Sequence, residues 1–287
     1  LATGNGRCNL TNINSPDAEE TLRFFAELGL LTRSEEEGRV YPYSEQAAAV
    51  QEALIGELAE LAVDVLCEQE VKSVEKTEAG FQTATDKDRF LSDAVIVATG
   101  GKAGPQYGST GDGYRVAKAF GHNVVRLMPS LVQMVSDAPY FKTLKGVRAK
   151  VQAELLREGR VVDSETGEIQ FAEDGLSGIC IFNLSKEYAR GDIIRIDFFP
   201  AYREERLEGI VTRRTETLKN RSMPEFFGGI LHKKLIPVLL AELSLDENRK
   251  AAELKPEEIK KIVQILKGWR IPVMGTKGWK EAQVTAG

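Results

Sequence analysis

Histidine and cysteine are both scarce, with 2 and 3 among 287 residues. His122 and His232 lie far from each other and from Cys8, Cys67 and Cys180, so no Cys/His cluster has the spacing of a metal site. An odd number of widely separated cysteines argues against a disulfide framework and for a reducing, cytoplasmic compartment. Long hydrophobic runs are missing too. The longest, such as 94–98 and 235–241, fall far short of the roughly 20 residues that span a bilayer, and no signal-peptide pattern opens the chain. Positive charge is not in excess: 38 basic against 43 acidic residues give a net charge of -5, which disfavours a phosphate-backbone footprint for nucleic acid. A GxxxxGK[ST] loop is absent, which disfavours a nucleotide hydrolase or kinase. With 42% hydrophobic and 28% charged residues, the sequence describes a globular protein large enough for two domains. The partner it leads us to expect is a small molecule, and composition does not speak to oligomeric state. The chain opens on Leu1-Ala2-Thr3-Gly4-Asn5 without a methionine and stops at Ala286-Gly287 without a polar tail, which reads as a fragment or a trimmed chain.

Two textures follow one another. Apolar Leu22, Phe25 and Leu28 predict a helix over 19–28 that Gly29 ends. Ser44 can cap a second helix carrying Val50, Leu54, Leu58 and Leu61 on one stripe. Strands are expected over 63–67, 70–76 and 80–85. The unalternating Ala94-Val95-Ile96-Val97-Ala98 suits a strand buried on both faces of a parallel sheet. From about Leu127 the pattern becomes antiparallel strands over 147–156, 160–162, 169–171 and 193–198, with a turn over 163–167. Helices then follow near 202–218, 229–243 and 256–267, the last with Pro256 in its first turn. The run Gly275-Thr276-Lys277-Gly278-Trp279 looks like a return toward the first part. The expected fold class is therefore α/β, with residues 1–126 and 274–287 forming one domain and 127–273 an inserted domain of antiparallel strands plus helices.

Three segments carry candidate chemistry. In Gly4-Asn5-Gly6-Arg7-Cys8-Asn9, the glycines permit positive φ and close backbone approach, successive amides can form an anion-binding concavity, and Arg7 can add a bond to phosphate. Asn9 and Asn12 can reach carbonyls and ring nitrogens. The apolar strand ends in Ala98-Thr99-Gly100-Gly101, and ligands in open α/β sheets bind outside the carboxyl ends of strands. In Ser109-Thr110-Gly111-Asp112-Gly113, a hydroxyl can act as N-cap while two glycines leave first-turn N–H groups open to an anion or an electron-rich ring edge. Taken singly, these segments also fit a surface turn, a tight strand exit and a plain capped helix.

Taken together, with Gly104-Pro105, Gly121-His122, the run Gly38-Arg39-Val40-Tyr41-Pro42-Tyr43-Ser44, Pro129-Ser130-Leu131-Val132, Gly175-Leu176-Ser177-Gly178 and the stretch 275–287, they resemble the bacterial YhiN-like flavoproteins, which are NAD(P)/FAD-dependent oxidoreductases. The resemblance implies an FAD-binding Rossmann-like domain interrupted by an inserted domain. It also implies hydride transfer between NAD(P)H and an organic substrate. It places Gly4, Asn5, Gly6, Arg7, Cys8, Asn9, Ala98, Thr99, Gly100, Gly101, Gly111, Asp112 and Gly113 beside the cofactor, and Val71 against the adenine through its backbone. The family's strand–GxGxxG–helix unit lies before the position of Leu1, and a further Gly-rich segment follows the position of Gly287. A chain without the helix N-terminus that grips the pyrophosphate is expected to hold FAD weakly or not at all. The alternative expectation is a non-catalytic fragment whose inserted domain serves as a folding or interaction module.

No acid–base pair stands out. His122 follows a helix-ending glycine and His232 sits beside Lys233 and Lys234, and both read as structural. Cys8 has no second cysteine near it in sequence, so a packing role is expected of it. Tyr107, Tyr114 and Lys277 are positions that can approach a substrate. Because a flavin carries its own hydride chemistry, the catalytic residues stay unknown at this level.

Overall fold

The computed structural model describes residues 6–287; Gly4 and Asn5 lie outside the described residues. The chain divides into two compact units, one up to Ile96 and one from Val97 to Gly287.

In the first unit, β1 (Thr11–Asn12) precedes α1 (Ala18–Glu27). Gly29 at φ 77° ends α1, with Gly29 N donating to Ala26 O and Leu30 N to Phe25 O; these bonds satisfy carbonyls that the helix end leaves open. Strands β2 (Thr32–Ser34) and β3 (Arg39–Pro42) complete an antiparallel sheet in the order β1-β3-β2. Helix α2 spans Ala47–Glu60. Its N-cap is Gln46, with no side-chain cap bond, so Ser44 does not cap it. The first free N–H of α2, that of Ala47, instead donates to Gly6 O at 2.8 Å. Of the expected apolar stripe only Val50 is buried; Leu58 and Leu61 are exposed. Strands β4 (Val71–Thr77), β5 (Gly80–Thr85) and β6 (Arg89–Ser92) form a second antiparallel sheet in chain order.

Two expected strands of this region do not form. Residues 63–67 are irregular, and so are 94–98, where Ile96 is 91% exposed. An apolar run becomes a buried parallel strand only where neighbouring strands accept its main-chain bonds. Every strand pairing among the described residues is antiparallel, and β4–β6 end their ladder at Ser92. The parallel sheet expected around Ala98 is thus not formed among them.

The second unit opens with α3 (Asp112–Ala119) and β7 (Met128–Ser130). Strand β8 (Met134–Val135) and the short α4 (Phe141–Leu144) lead into β9 (Arg148–Arg157) and β10 (Arg160–Ala172). The expected turn over 163–167 lies inside β10. Asp163 to Gly167 pair with Leu155 to Val151, after a register shift between Val161 and Asp163. Alternate polar residues on the solvent face made this stretch look like a turn, whereas its long-range partner β9 holds it extended. Next come β11 (Gly175–Ser177), α5 (Ile179–Leu184) and β12 (Ile193–Asp197). The helices are α6 (Glu204–Thr217), α7 (Met223–Phe227), α8 (Leu235–Leu243) and α9 (Pro256–Gly268). The helix expected over 229–243 begins only at Leu235, because Gly229 adopts φ 80° and ends the preceding turn. Strands β13 (Trp269–Pro272), β14 (Gly275–Thr276) and β15 (Val284–Ala286) follow.

Seven strands form one sheet in the order β13-β12-β9-β10-β11-β8-β14. Its outer strands, β13 and β14, follow each other directly in sequence, and Val273 N donates to Asp192 O while Met274 N donates to Val135 O. The sheet therefore curls so that its two ends meet, as in a barrel. Its core is mostly aliphatic and holds an aromatic cluster in which the ring of Trp269 lies 5.0 Å from Tyr140, 5.9 Å from Phe171 and 6.1 Å from Phe198. A separate two-stranded pair joins β7 to β15 through Ser130–Val284, Pro129–Thr285 and Met128–Ala286.

Two carboxylates link the unit's stability to pH. Burial pushes the Asp192 carboxyl up, but the Arg157 guanidinium and the Ala189 N–H outweigh it and hold it below its ordinary range. Glu258, bonded to Arg249 and to Lys255 N, falls from 4.5 to about 2. Both values are depressed on folding, so this stabilisation is complete above the unfolded values and is lost as pH falls through the folded ones. Thermal melts should therefore show Tm falling below about pH 4. Glu258→Gln should lower Tm at pH 7 by about 2–4 °C and flatten the acid limb. An unchanged acid limb in that variant would assign the pH dependence to other groups.

Candidate functional site

The candidate residues fall in both units, and each half is built locally. In the first unit, Gly6 (φ 77°) and Cys8 (φ 60°) both take left-handed backbone. Arg7 Nη1 donates to Glu35 Oε1 at 2.8 Å, and its guanidinium lies 4.1 Å from the centre of the Tyr41 ring. The cation expected to face a phosphate is thus already engaged by a carboxylate and an aromatic face. With its amide nitrogen turned inward, Asn9 donates to Thr11 O (2.8 Å) and Val40 O (3.0 Å). Asn12 Nδ2 donates to Glu37 O. Both amides are therefore spent on pinning this loop to β3 and the turn before it. Burial pushes the Cys8 thiol up, which keeps it protonated and disfavours a nucleophilic role. Val71 opens β4, with Thr85 as its register partner.

In the second unit the structure brings the other two segments together. Gly111 takes φ 86° and is itself the N-cap of α3, which has no side-chain cap bond. The expected hydroxyl cap is absent, because Thr110 Oγ1 donates to Asp112 Oδ2 at 2.6 Å. The first-turn N–H groups of α3 are thus left without a capping side chain, at the positive end of its dipole. A Cβ on Gly113 would lie 2.8 Å from Thr99 Oγ1 and 3.4 Å from Val97 Cγ1, so only glycine lets the helix start approach the 99–101 exit this closely. Gly100 adopts φ 69° beside Ser109. Next to this face, Gly111, Tyr114, Arg115, Lys118 and Arg126 line a groove of about 490 Å³.

The return segment completes this half. Thr285 Oγ1 accepts from Lys102 N (2.7 Å) and Ala103 N (3.1 Å). Gly104 N donates to Trp279 O, and Gln106 Nε2 donates to Lys280 O at 2.9 Å. The Lys102 ammonium lies 5.1 Å from the Trp279 ring centre. Sequence reasoning anticipated a return near 275–279 but not Thr285, whose partners lie 183 and 182 residues away. The one local signal was Gly101, where a Cβ would lie 2.5 Å from Thr285 Oγ1.

Other residues singled out in the sequence are placed elsewhere. Lys277 pairs with Asp174, whose other oxygen accepts from Gln133 Nε2 at 2.7 Å. Tyr107 is 70% exposed. His232 Nδ1 accepts from Lys234 N. His122 N donates to Ala117 O in the glycine-terminated end of α3. Among the described residues no group of three or more His, Cys, Asp or Glu converges as a metal centre would, and no helix is long and apolar enough to cross a membrane.

A curled antiparallel sheet followed by a set of short helices is the class of domain that residues 128–284 match: the HI0933-like protein barrel and H2TH domain. The chain belongs to this HI0933-like family. It is 36% identical over 312 residues to the 3-dehydro-bile acid delta(4,6)-reductase of Clostridium scindens, an oxidoreductase, covering 100% of this chain and 76% of that protein. It is 26% identical to the ribosomal RNA dihydrouridine synthase of Escherichia coli (100% of this chain, 75% of that protein). Identity to the Haemophilus influenzae enzyme of the same name is 23% (100% and 76%).

Proposed function

We propose that this chain is the greater part of an FAD-dependent oxidoreductase that passes hydride from NAD(P)H to an unsaturated small organic substrate. The observation that carries the reading is the 36% identity, along the whole chain, to a reductase of a 3-dehydro-bile acid. A net charge of -5 favours a small-molecule substrate over ribosomal RNA, the substrate named for the more distant relatives. In this reading, residues 127–273 are an inserted domain, and 1–126 with 274–287 belong to the flavin domain of a cytoplasmic protein.

The residues present fit such a cofactor. Gly101 and Gly113 let the 99–101 loop, the start of α3 and Thr285 pack closely together, and the uncapped first turn of α3 offers N–H donors to an electron-rich edge. Bound FAD would supply the hydride chemistry itself. The chain's part is to fix the 99–101 loop against the start of α3, through the close packing at Gly101 and Gly113, and to hold the α3 dipole toward the cofactor. Arg7, already bonded to Glu35, acts by fixing its own loop.

The test is to purify the full-length protein of which this chain is the greater part, add FAD and record the visible spectrum, then add NADH or NADPH with and without an unsaturated 3-keto steroid. Flavin absorbance that bleaches with the nicotinamide and returns with the steroid is the expected result. A protein that neither carries nor takes up flavin would sink the reading and favour a non-catalytic module.

A further inference from the structure

We infer that Thr285 is a positioning residue for the cofactor face: its hydroxyl clamps the 101–103 loop from a distant part of the chain. The inference rests on the flavin reading for its functional part and on geometry alone for the clamp.

A single hydroxyl oxygen accepts from two consecutive main-chain N–H groups, Lys102 N at 2.7 Å and Ala103 N at 3.1 Å. Two successive donors converge on one acceptor only where the backbone turns sharply around it, so this pair of bonds fixes the direction in which the chain leaves Gly101. Thr285 is itself held by the β7–β15 ladder, where it lies opposite Pro129. Its position therefore depends on main-chain bonding rather than on its own side chain. The fit leaves no slack: an added Cβ at Gly101 would come within 2.5 Å of Thr285 Oγ1, 3.0 Å of Thr285 Cβ and 3.4 Å of the Tyr114 hydroxyl. Tyr114 lies on α3 and also packs near Gly111, with 3.4 Å from its ring to the place of a Gly111 Cβ. Thr285 and Tyr114 thus converge on Gly101, between the 99–101 loop and the helix start that frame the cofactor face. Removing the hydroxyl leaves two N–H donors without their acceptor and frees the loop to move toward that face.

Thr285→Val preserves the β-branched shape and the β7–β15 main-chain bonds while deleting the acceptor; Thr285→Ser restores it. Hydrogen exchange at the Lys102 and Ala103 amides of the full chain, without any added flavin, should quicken about ten-fold or more in the valine variant and return toward wild type in the serine variant. FAD affinity, read by fluorescence titration, should fall about ten-fold with valine and recover with serine, while Tm moves little. Unchanged exchange at both amides overturns the clamp. Faster exchange with unchanged FAD affinity overturns the positioning role. A full-length wild-type protein that takes up no FAD, while the exchange difference holds, overturns the flavin reading and leaves the clamp standing.

Discussion

Trp269→Ala is expected to cause the largest loss of stability of any single replacement in the second unit. Trp269 is 3% exposed at the start of β13, and its ring meets Tyr140, Phe171 and Phe198 at centroid distances of 5.0, 5.9 and 6.1 Å. Truncating a buried tryptophan removes its transfer free energy and leaves a cavity, together about 3–5 kcal/mol. The three neighbouring rings also attract the indole through their quadrupoles, an attraction beyond area alone that an alanine does not replace. At about 2–4 °C per kcal/mol, Tm should fall by roughly 6–20 °C. Trp269→Phe keeps most of the ring packing and should cost less than half as much. Circular dichroism melts of the two variants decide the matter; equal and small shifts would mean that the curled sheet is held by its ladder and helices rather than by this aromatic centre.

Gly101→Ala is expected to have the largest effect on the candidate site. The added methyl would lie 2.5 Å from Thr285 Oγ1 and 3.0 Å from its Cβ. Thr285 is stiff at χ1 and tied to two amides, so it cannot simply swing aside. The loop must move instead, at a strain of about 1–3 kcal/mol. That corresponds to roughly 5–150-fold weaker FAD binding if the strain falls on the bound form. Gly209→Ala makes a useful contrast, since Gly209 lies within α6 and nothing is within 4 Å of a Cβ there. FAD titration of both variants tests the assignment of the 99–101 exit to the cofactor. Equal losses in the two would mean that Gly101 is no more than a backbone hinge.

The sequence made some parts of this molecule legible and hid others for identifiable reasons. Helix α1 was readable from its apolar spacing and Gly29, and the 80–85 strand from its own residues, because those signals are local. Pro256 marked the first turn of α9 for the same reason. Strand β10 was broken in two by its polar middle, since only pairing with β9 reveals those residues as an extended solvent face. The 94–98 run shows the converse error: apolar, β-branched composition promised a buried strand, but a strand exists only with a neighbour to bond. Within the site, glycine positions pointed to the 99–101 and 111–113 segments, which the fold brings into contact at Gly113 and Thr99. Thr285 carries no mark of its own beyond the glycine it meets at Gly101, and the side-chain bonds of Arg7, Asn9 and Asn12 depend on β3 and its neighbours rather than on their own loop.

The ladder between β7 and β15 also has a kinetic meaning. It joins Ser130 to Val284 and so closes a loop of roughly 150 residues, a pairing whose entropic cost is met only after much of the intervening chain has ordered. Pairings of such high sequence separation form late and slow the folding of the proteins that rely on them. The hydroxyl of Thr285 can reach Lys102 and Ala103 only once that ladder exists. The candidate site around Gly101 should accordingly be among the last surfaces to acquire its final shape, completed by residues that leave the ribosome long after the loop they hold.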